Sequence, residues 1–144
     1  MWMLLTLTLV LPPVQEQVAA SYTIHLESSA QHRVEVEARF PASDGPALEL
    51  WMPVWTPGSY KIRDYARHIE NLAAFDGDGN PLSVDRPTKN SWVIATPHRT
   101  DVTVRYRLYC RKLSVRNNFV EAGSGFLNGA ATFLLPRGKD GPFD

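Results

Sequence analysis

The chain has 144 residues, enough for one domain of ordinary size and too few for two. Its 15 basic and 15 acidic residues cancel and are interspersed along the sequence, so we expect no cationic surface for nucleic acid. At this length a hydrophobic core suffices, and the fold requires neither a disulfide nor a metal. Cys110 is the only cysteine, which excludes an intramolecular disulfide, and its place in an alternating run predicts a buried strand residue.

Residues 1–20 are predicted to be an export signal. An apolar run over residues 4–11 is too short to span a bilayer, and Val18-Ala19-Ala20 offers small residues where a signal peptidase cleaves. No Lys or Arg precedes the run, so a membrane-tethered anchor and a wrongly assigned start remain alternatives. We expect residues 21–144 to form the mature domain, periplasmic or secreted, with no membrane contact after cleavage.

Alternation of apolar and polar residues predicts the first strands. Tyr22, Ile24 and Leu26 share one face of the first strand, and charged residues alternate with apolar ones in the second. Opposite charges on the outer face of the second strand can pair with neighbouring strands. These strands are predicted over 22–26, 33–40 and 48–52, and Pro53 ends the third.

The second half of the chain predicts a hairpin and a long central strand. Asp76-Gly77-Asp78-Gly79-Asn80-Pro81 joins runs at 69–75 and 82–84, and it lacks the later bidentate Glu of a calcium loop, so we interpret it as a tight turn. Further strands are predicted over 92–95, 102–110, around Val115 and over 131–135, with no helix beyond a turn or two at 63–68. The predicted fold is all-β, an antiparallel β-sandwich of about eight or nine short strands.

The sequence offers no catalytic constellation. A zinc hydrolase commonly holds its metal with two histidines one helical turn apart, and none of the four histidines has another four residues away. There is also no serine nucleophile elbow and no phosphate-binding glycine loop. We therefore predict no catalytic and no metal-ligating residue in this chain.

The segment from Pro53 to Tyr65 is the unusual part of the chain. Two prolines, a glycine and three large aromatic residues lie in a stretch that cannot be a plain strand. One interpretation is a corner of the sandwich in which Trp55 and Tyr60 close the core. The other is a rigid loop that presents side chains to a ligand or a partner domain. The binding or interface candidates are Trp55, Pro57, Gly58, Ser59, Tyr60, Arg63, Asp64 and, from a later motif, Arg116.

Several motifs occur together in a specific order. Pro-x-Trp-x-Pro-Gly-Ser-Tyr at 53–60 is followed by Arg63-Asp64, and later motifs follow in order: Lys89 before Ser91-Trp92, Tyr106-Arg107, Leu113-Ser114-Val115-Arg116 and Asn128-Gly129. This order resembles the N-terminal domain of the glycyl aminopeptidase family, metallopeptidase family sixty-one, from about Tyr22 to Leu135. Singly the motifs are weak, apart from the Trp-Thr-Pro-Gly-Ser-Tyr loop.

The resemblance implies a longer protein in which a thermolysin-like catalytic domain with a His-Glu-x-x-His zinc helix follows this domain. We expect zinc to belong to that domain, no cofactor in this chain, and a peptide substrate as a second partner. Under this hypothesis the sequence is truncated before the catalytic domain and is inactive alone. The resemblance also implies that the final strand or strands of this β domain lie beyond residue 144. The alternative is a free-standing secreted module that binds peptide or sugar.

Overall fold

The protein folds as two packed antiparallel β-sheets with a small additional hairpin. The structure, a computed structural model, describes residues 20–42 and 44–138, so residues 1–19 of the predicted export signal lie outside the described residues. The strands are β1 (Ser21–His25), β2 (Arg33–Phe40), β3 (Ala47–Trp51), β4 (Ile69–Phe75), β5 (Pro81–Leu82), β6 (Val84–Thr88), β7 (Ser91–Ala95), β8 (Val102–Tyr109), β9 (Phe119–Glu121), β10 (Ser124–Phe126) and β11 (Leu135–Pro136). Three short 3-10 helices span Ser29–Gln31, Tyr65–His68 and Gly129–Ala131.

The strand order confirms the predicted sandwich and its central strand. One sheet has the order β1-β2-β8-β4-β5, the other β11-β3-β7-β6, and β9 and β10 form the hairpin. Strand β8 lies in the middle of the first sheet and pairs with β2 over eight residues, from Arg33 opposite Tyr109 to Phe40 opposite Val102. Both strands alternate buried and more exposed residues along their length, because one face of the sheet covers the core.

The core lies between the two sheets and takes its side chains from both. Its largest fully buried members are Phe40, Leu50, Met52, Tyr65, Ile94, Leu108 and Leu134. The hydroxyl of Tyr106 is buried there and donates to the carbonyl oxygen of Thr132 at 2.7 Å, and burial raises its pKa. Cys110 is buried as predicted, and burial raises the pKa of its thiol to about 12. The thiol therefore remains protonated at neutral pH.

The outer face of the five-stranded sheet carries the predicted charge pairs. Glu37 accepts hydrogen bonds from Arg39 and Arg105, at 2.8 and 2.9 Å, and these bonds lower the pKa of its carboxyl. Arg107 pairs with Glu35 at 3.2 Å. Such exposed pairs contribute at most about 1 kcal/mol each, so this face is stabilised mainly by the backbone ladder and the core beneath it.

Several predicted strand limits are wrong, and each has a local cause. Leu26 lies beyond β1 and is exposed, because the chain turns there into the helix at Ser29. Val84 starts a strand of the other sheet instead of extending the hairpin partner of β4. Val115 is exposed and outside any strand. Of the predicted strand 131–135 only Leu135 belongs to a strand, because Ala131 ends the short helix that Asn128 caps and β11 begins at Leu135.

Candidate functional site

The two ends of the sandwich differ in composition. At one end, where β2 begins and β8 ends, four segments connect the strands: residues 26–32, 52–68, 89–90 and 111–134. We call this the apolar end. The opposite end consists of the turns at 41–46, 76–80 and 96–101, with residue 43 outside the described residues, and we call it the polar end.

Large exposed hydrophobic side chains occur only at the apolar end in the part of the chain that the structure describes. They are Leu26, Trp55, Tyr60, Ile62, Leu113, Val115 and Phe126. Single exposed hydrophobic residues are common on any protein surface, but their restriction to one end is informative. The loops of this end present large apolar side chains outward, whereas the described residues of the polar-end turns do not.

The loop from Pro53 to Asp64 is held in a defined shape by its own backbone. A turn at 56–59 places Pro57 and Gly58 at its centre; the Ser59 amide donates to the Thr56 carbonyl at 3.0 Å, and Gly58 has a φ of 79°. Proline followed by a residue with positive φ is typical of a type II turn. The Arg63 amide then donates to the Val54 carbonyl at 2.6 Å and closes the loop at its base.

The interpretation of this loop as a core-closing corner is wrong. Trp55 is 51% exposed and Tyr60 is 93% exposed, so neither aromatic ring fills the end of the core. The buried aromatic of this segment is Tyr65, which follows the loop and is 2% exposed. The loop therefore presents two aromatic side chains to its surroundings, and the core is closed without them.

The structure brings together two of the polar candidates. An Arg63 Nη donates to the Ser59 hydroxyl at 3.2 Å, while the Arg63 Nε is buried and has no hydrogen-bond partner among the described residues. Asp64 is exposed and precedes the helix Tyr65–His68, with no side-chain capping bond. The Arg63 guanidinium thus lies at the base of the loop with donors left over for an acceptor.

Arg116 lies in a separate loop of the same end. It is exposed, and its amide donates to the Ser114 hydroxyl at 3.2 Å. The Asn128 side chain donates to the neighbouring Val115 carbonyl at 3.3 Å. The structure places Arg116 in the apolar end, in a different segment from the Pro53–Asp64 loop.

A buried asparagine organises the support beneath these loops. The Asn118 side chain donates to the Ala131 carbonyl at 2.9 Å and accepts from the Asn128 amide at 2.8 Å and the Thr132 hydroxyl at 3.2 Å. Helix Gly129–Ala131 in turn contacts helix Tyr65–His68, which ends the Pro53–Asp64 loop. The network connects the segments of the apolar end into one support.

Sequence reasoning missed several residues of this end. Leu113 and Val115 alternate with polar neighbours, which predicted a strand, and only the structure shows them exposed in a loop. Ile62 is also exposed and was not singled out. The role of Asn118 could not be predicted from neighbouring residues, because its hydrogen-bond partners lie 10 to 14 residues further along the chain.

The described residues do not fit a zinc site. Within residues 20–42 and 44–138, no three or more His, Cys, Asp or Glu side chains come close enough to hold a metal ion together. We assign no metal-dependent step to them. No helix in the described ranges has the length and hydropathy needed to span a bilayer.

The comparisons with known proteins agree with this architecture. The model of the Peptidase M61 N-terminal domain matches residues 21–141. A crystal structure of an aminopeptidase N family protein from Idiomarina loihiensis is 34% identical and superposes with a TM-score of 0.77. The match covers 83% of this chain and 20% of that one, so the chain spans about a fifth of the neighbour's length. A search of curated proteins returns no significant match.

Fold and site together define an all-β sandwich domain with one apolar end built from loops. The family match assigns this sandwich more closely, because it extends over residues 21–141 and includes every strand described above. The chain belongs to the family of N-terminal domains of M61 peptidases, as its motifs predicted.

Proposed function

We propose that this domain is the non-catalytic N-terminal β domain of a secreted zinc aminopeptidase of the glycyl aminopeptidase type. Its apolar end packs against the catalytic domain and flanks the site that binds the amino end of a peptide. The observation that carries the proposal is the restriction of large exposed hydrophobic side chains to that one end in the described part of the chain.

The chemistry of the apolar end suits a protein partner. Aromatic residues and arginine are enriched at the centres of protein interfaces, and Trp55, Tyr60 and Arg63 occur together in one loop. The Arg63 guanidinium donates to the Ser59 hydroxyl, and its positive charge also suits a carboxylate or carbonyl acceptor. A domain seated on this loop would cover the aromatic rings and supply that acceptor.

The size of the relative supports the choice of partner. About four-fifths of the Idiomarina loihiensis protein lies outside the match, so a large body of polypeptide accompanies this fold there. We infer that zinc and the catalytic residues belong to such a domain. The apolar run in residues 1–20 and the small residues before position 21 support the export part of the proposal.

The isolated chain should be inactive. We expect it to hydrolyse no glycyl or alanyl arylamide and to retain no stoichiometric zinc after dialysis, because its described residues offer no ligand cluster. Assays of turnover and of metal content by mass spectrometry check both points. Turnover that a chelator abolishes, together with tight zinc, would contradict the non-catalytic assignment.

The contact surface is tested by binding. The part of the Idiomarina loihiensis protein outside the matched region, expressed separately, should bind this chain, and Trp55→Ala should weaken binding by about 2 kcal/mol or more. Asp78→Ala, in the polar end, is the control and should leave the affinity unchanged. Because Trp55 is half-exposed, its removal should change the melting temperature little, whereas loss of a core tryptophan costs roughly 3–5 kcal/mol.

Two results would count against the proposal. If Trp55→Ala and Asp78→Ala bind alike, the apolar end is not the contact surface. If the chain ignores the partner but binds peptides or sugars through the Pro53–Asp64 loop, the domain is a free-standing binding module instead. Isothermal titration calorimetry with the partner, with glycyl peptides and with oligosaccharides separates these outcomes.

A further inference from the structure

Strand β1 forms one edge of the five-stranded sheet and lacks the usual protection of such an edge. Folded proteins protect exposed edges with prolines, charged side chains, bulges or very short strands, because an open edge pairs with other strands. Strand β1 has five residues, and none of them is a proline, Lys, Arg, Asp or Glu. Its pairing with β2 is continuous, and its outer side faces no strand among the described residues.

The other outer strands are short or interrupted by proline. Strands β5 and β11 have two residues each and contain Pro81 and Pro136. Strand β6 contains Pro87, and a register shift interrupts its pairing with β7. Strands β9 and β10 of the hairpin have three residues each. A proline has no amide hydrogen to donate to a further strand, so β1 is the edge of the two described sheets best suited to accept one.

The hydrogen-bond pattern of the sheet determines which backbone groups of β1 lie at the free edge. In an antiparallel pair, residues that bond to the neighbouring strand alternate with residues that point away from it. The Cys110 amide donates to the His32 carbonyl at 2.7 Å in the register of β2 and β8, so the even-numbered residues of β2 bond to β8. The odd-numbered residues of β2 therefore bond to the odd-numbered residues of β1. The amide and carbonyl groups of Tyr22 and Ile24 consequently point to the free side.

We propose that β1 pairs antiparallel with β1 of a second copy of this chain, about a two-fold axis at Thr23. In this register Tyr22 of each copy lies opposite Ile24 of the other. Each such pair exchanges both its backbone hydrogen bonds, so every free amide and carbonyl group of the two residues is used. Thr23 lies opposite Thr23 of the second copy, and Ser21 lies opposite His25 of the second copy. The two five-stranded sheets then form one continuous sheet.

The side chains along β1 favour a second copy over an unrelated strand. Tyr22 and Ile24 are half-buried at the margin of the core, and the two-fold axis places an aromatic ring beside a branched aliphatic chain on this face. On the opposite face Thr23 meets its own counterpart, a pair that stabilises antiparallel sheets. No two like charges of Lys, Arg, Asp or Glu meet between the paired strands. The strand is thus complementary to itself in a register that the free backbone groups allow.

The first test measures the mass of the full chain by sedimentation equilibrium, and the mean mass should rise with concentration towards that of two chains. Thr23 is exposed, so Thr23→Lys and Thr23→Glu place like charges at the axis, and each should weaken the dimer about fivefold. An equimolar mixture of the two variants should associate at least as well as the unchanged chain, because opposite charges then meet. Ser83→Lys, an exposed control outside β1, should keep the dimer. A monomer at every concentration, or Thr23 variants that associate as the unchanged chain does, would overturn the proposal.

Hydrogen exchange measured by nuclear magnetic resonance locates the contact between the copies. The Tyr22 and Ile24 amides should exchange slowly in the dimer and fast in monomeric Thr23→Lys, whereas the amide of residue 23 should exchange slowly in both because it bonds to β2. Equal exchange of the Tyr22 and Ile24 amides in the two proteins would overturn the proposal. Trp55→Ala alters the surface proposed to contact the catalytic domain and should leave the dimer unchanged, so the two proposals are tested separately. Self-association that Trp55→Ala abolishes would mean that the apolar end joins the copies, which contradicts pairing through β1.

Discussion

The two ends of the sandwich belong to the same strands but hold their loops in different ways. At the polar end the turns bind one another: the Gly77 amide donates to the Thr100 hydroxyl at 3.0 Å, and the Ala42 amide donates to the Asp101 carboxylate at 2.9 Å. These contacts are exposed. At the apolar end the fixing contacts are buried around Asn118, and the exposed surface is left to hydrophobic side chains.

The difference indicates what each end is built for. The described turns of the polar end form hydrogen bonds with one another near the surface. The apolar end fixes its loops from beneath, so their outer side chains are held in place before any partner arrives. Loops that are ordered in advance lose less conformational entropy on binding, which is how a preorganised contact surface gains affinity.

The largest difference between the two ends should appear in the free energy of unfolding when Asn118 of the apolar end and Asp76 of the polar end are each replaced by alanine. Asn118→Ala removes three hydrogen bonds in a buried setting and leaves their partners unsatisfied, so we expect a loss of about 3 kcal/mol in the free energy of unfolding. Asp76→Ala also removes several hydrogen bonds, to Asp78 and Asn80, but water replaces them at this exposed turn. Urea unfolding of both variants measures the difference, and equal losses would contradict the buried support at the apolar end.

A smaller effect should be equal at the two ends. Gly58 and Gly79 have positive φ values of 79° and 86°, and a Cβ at either position would meet open space. Alanine at each therefore costs only backbone strain, about 1 kcal/mol. Binding distinguishes them: Gly58→Ala should also weaken the contact with the partner domain, because it reshapes the loop that holds Trp55 and Tyr60. An affinity that falls equally for Gly79→Ala would mean that the contact is not confined to the apolar end.

The ends should also respond to acid in different pH ranges. The folded state lowers the pKa of His68 below its ordinary value of 6.5, so the unfolded chain takes up the proton first and stability falls as the pH drops below that value. Hydrogen bonds from Asn80 lower the pKa of Asp76 below 3.8, so the turn loses its acceptor only at more acid pH.

The effect of His68 protonation is tested by the melting temperatures of the protein and of His68→Gln, measured between about pH 7.5 and about pH 5.5. The variant should lose less stability across it than the protein itself does. Chemical shifts of the Asn80 amide should report the second range by changing only below pH 3.8. A protein and variant with parallel profiles would show that His68 does not couple protonation to folding.

The strands could be predicted from the sequence where alternation reports burial directly. The charged and apolar residues of β2 and β8 gave their limits to within a residue, because one face of each strand covers the core and the other meets water. Alternation of apolar and polar residues predicted strands wrongly around Val115 and over 131–134. There the buried Asn118 side chain and the Asn128 helix cap determine the backbone conformation. These contacts join residues that are separate in sequence.

The candidate loop could be located from the sequence, but its orientation could not. Prolines, a glycine and aromatic residues between Pro53 and Tyr65 indicated an irregular segment, and both a core corner and a contact surface fitted them. The choice depends on which aromatic residue enters the core. Tyr65 does so because the short helix Tyr65–His68 turns it inward, which leaves Trp55 and Tyr60 outside.

Oxidative footprinting with hydroxyl radicals tests the central claim most directly, because it reads both ends in a single sample. Trp55 and Tyr60 at the apolar end and His98 at the polar end are all exposed and react readily in the free chain. On addition of the partner domain, Trp55 and Tyr60 should lose most of their reactivity while His98 keeps its own. Protection of His98 with Trp55 and Tyr60 still reactive would contradict the account.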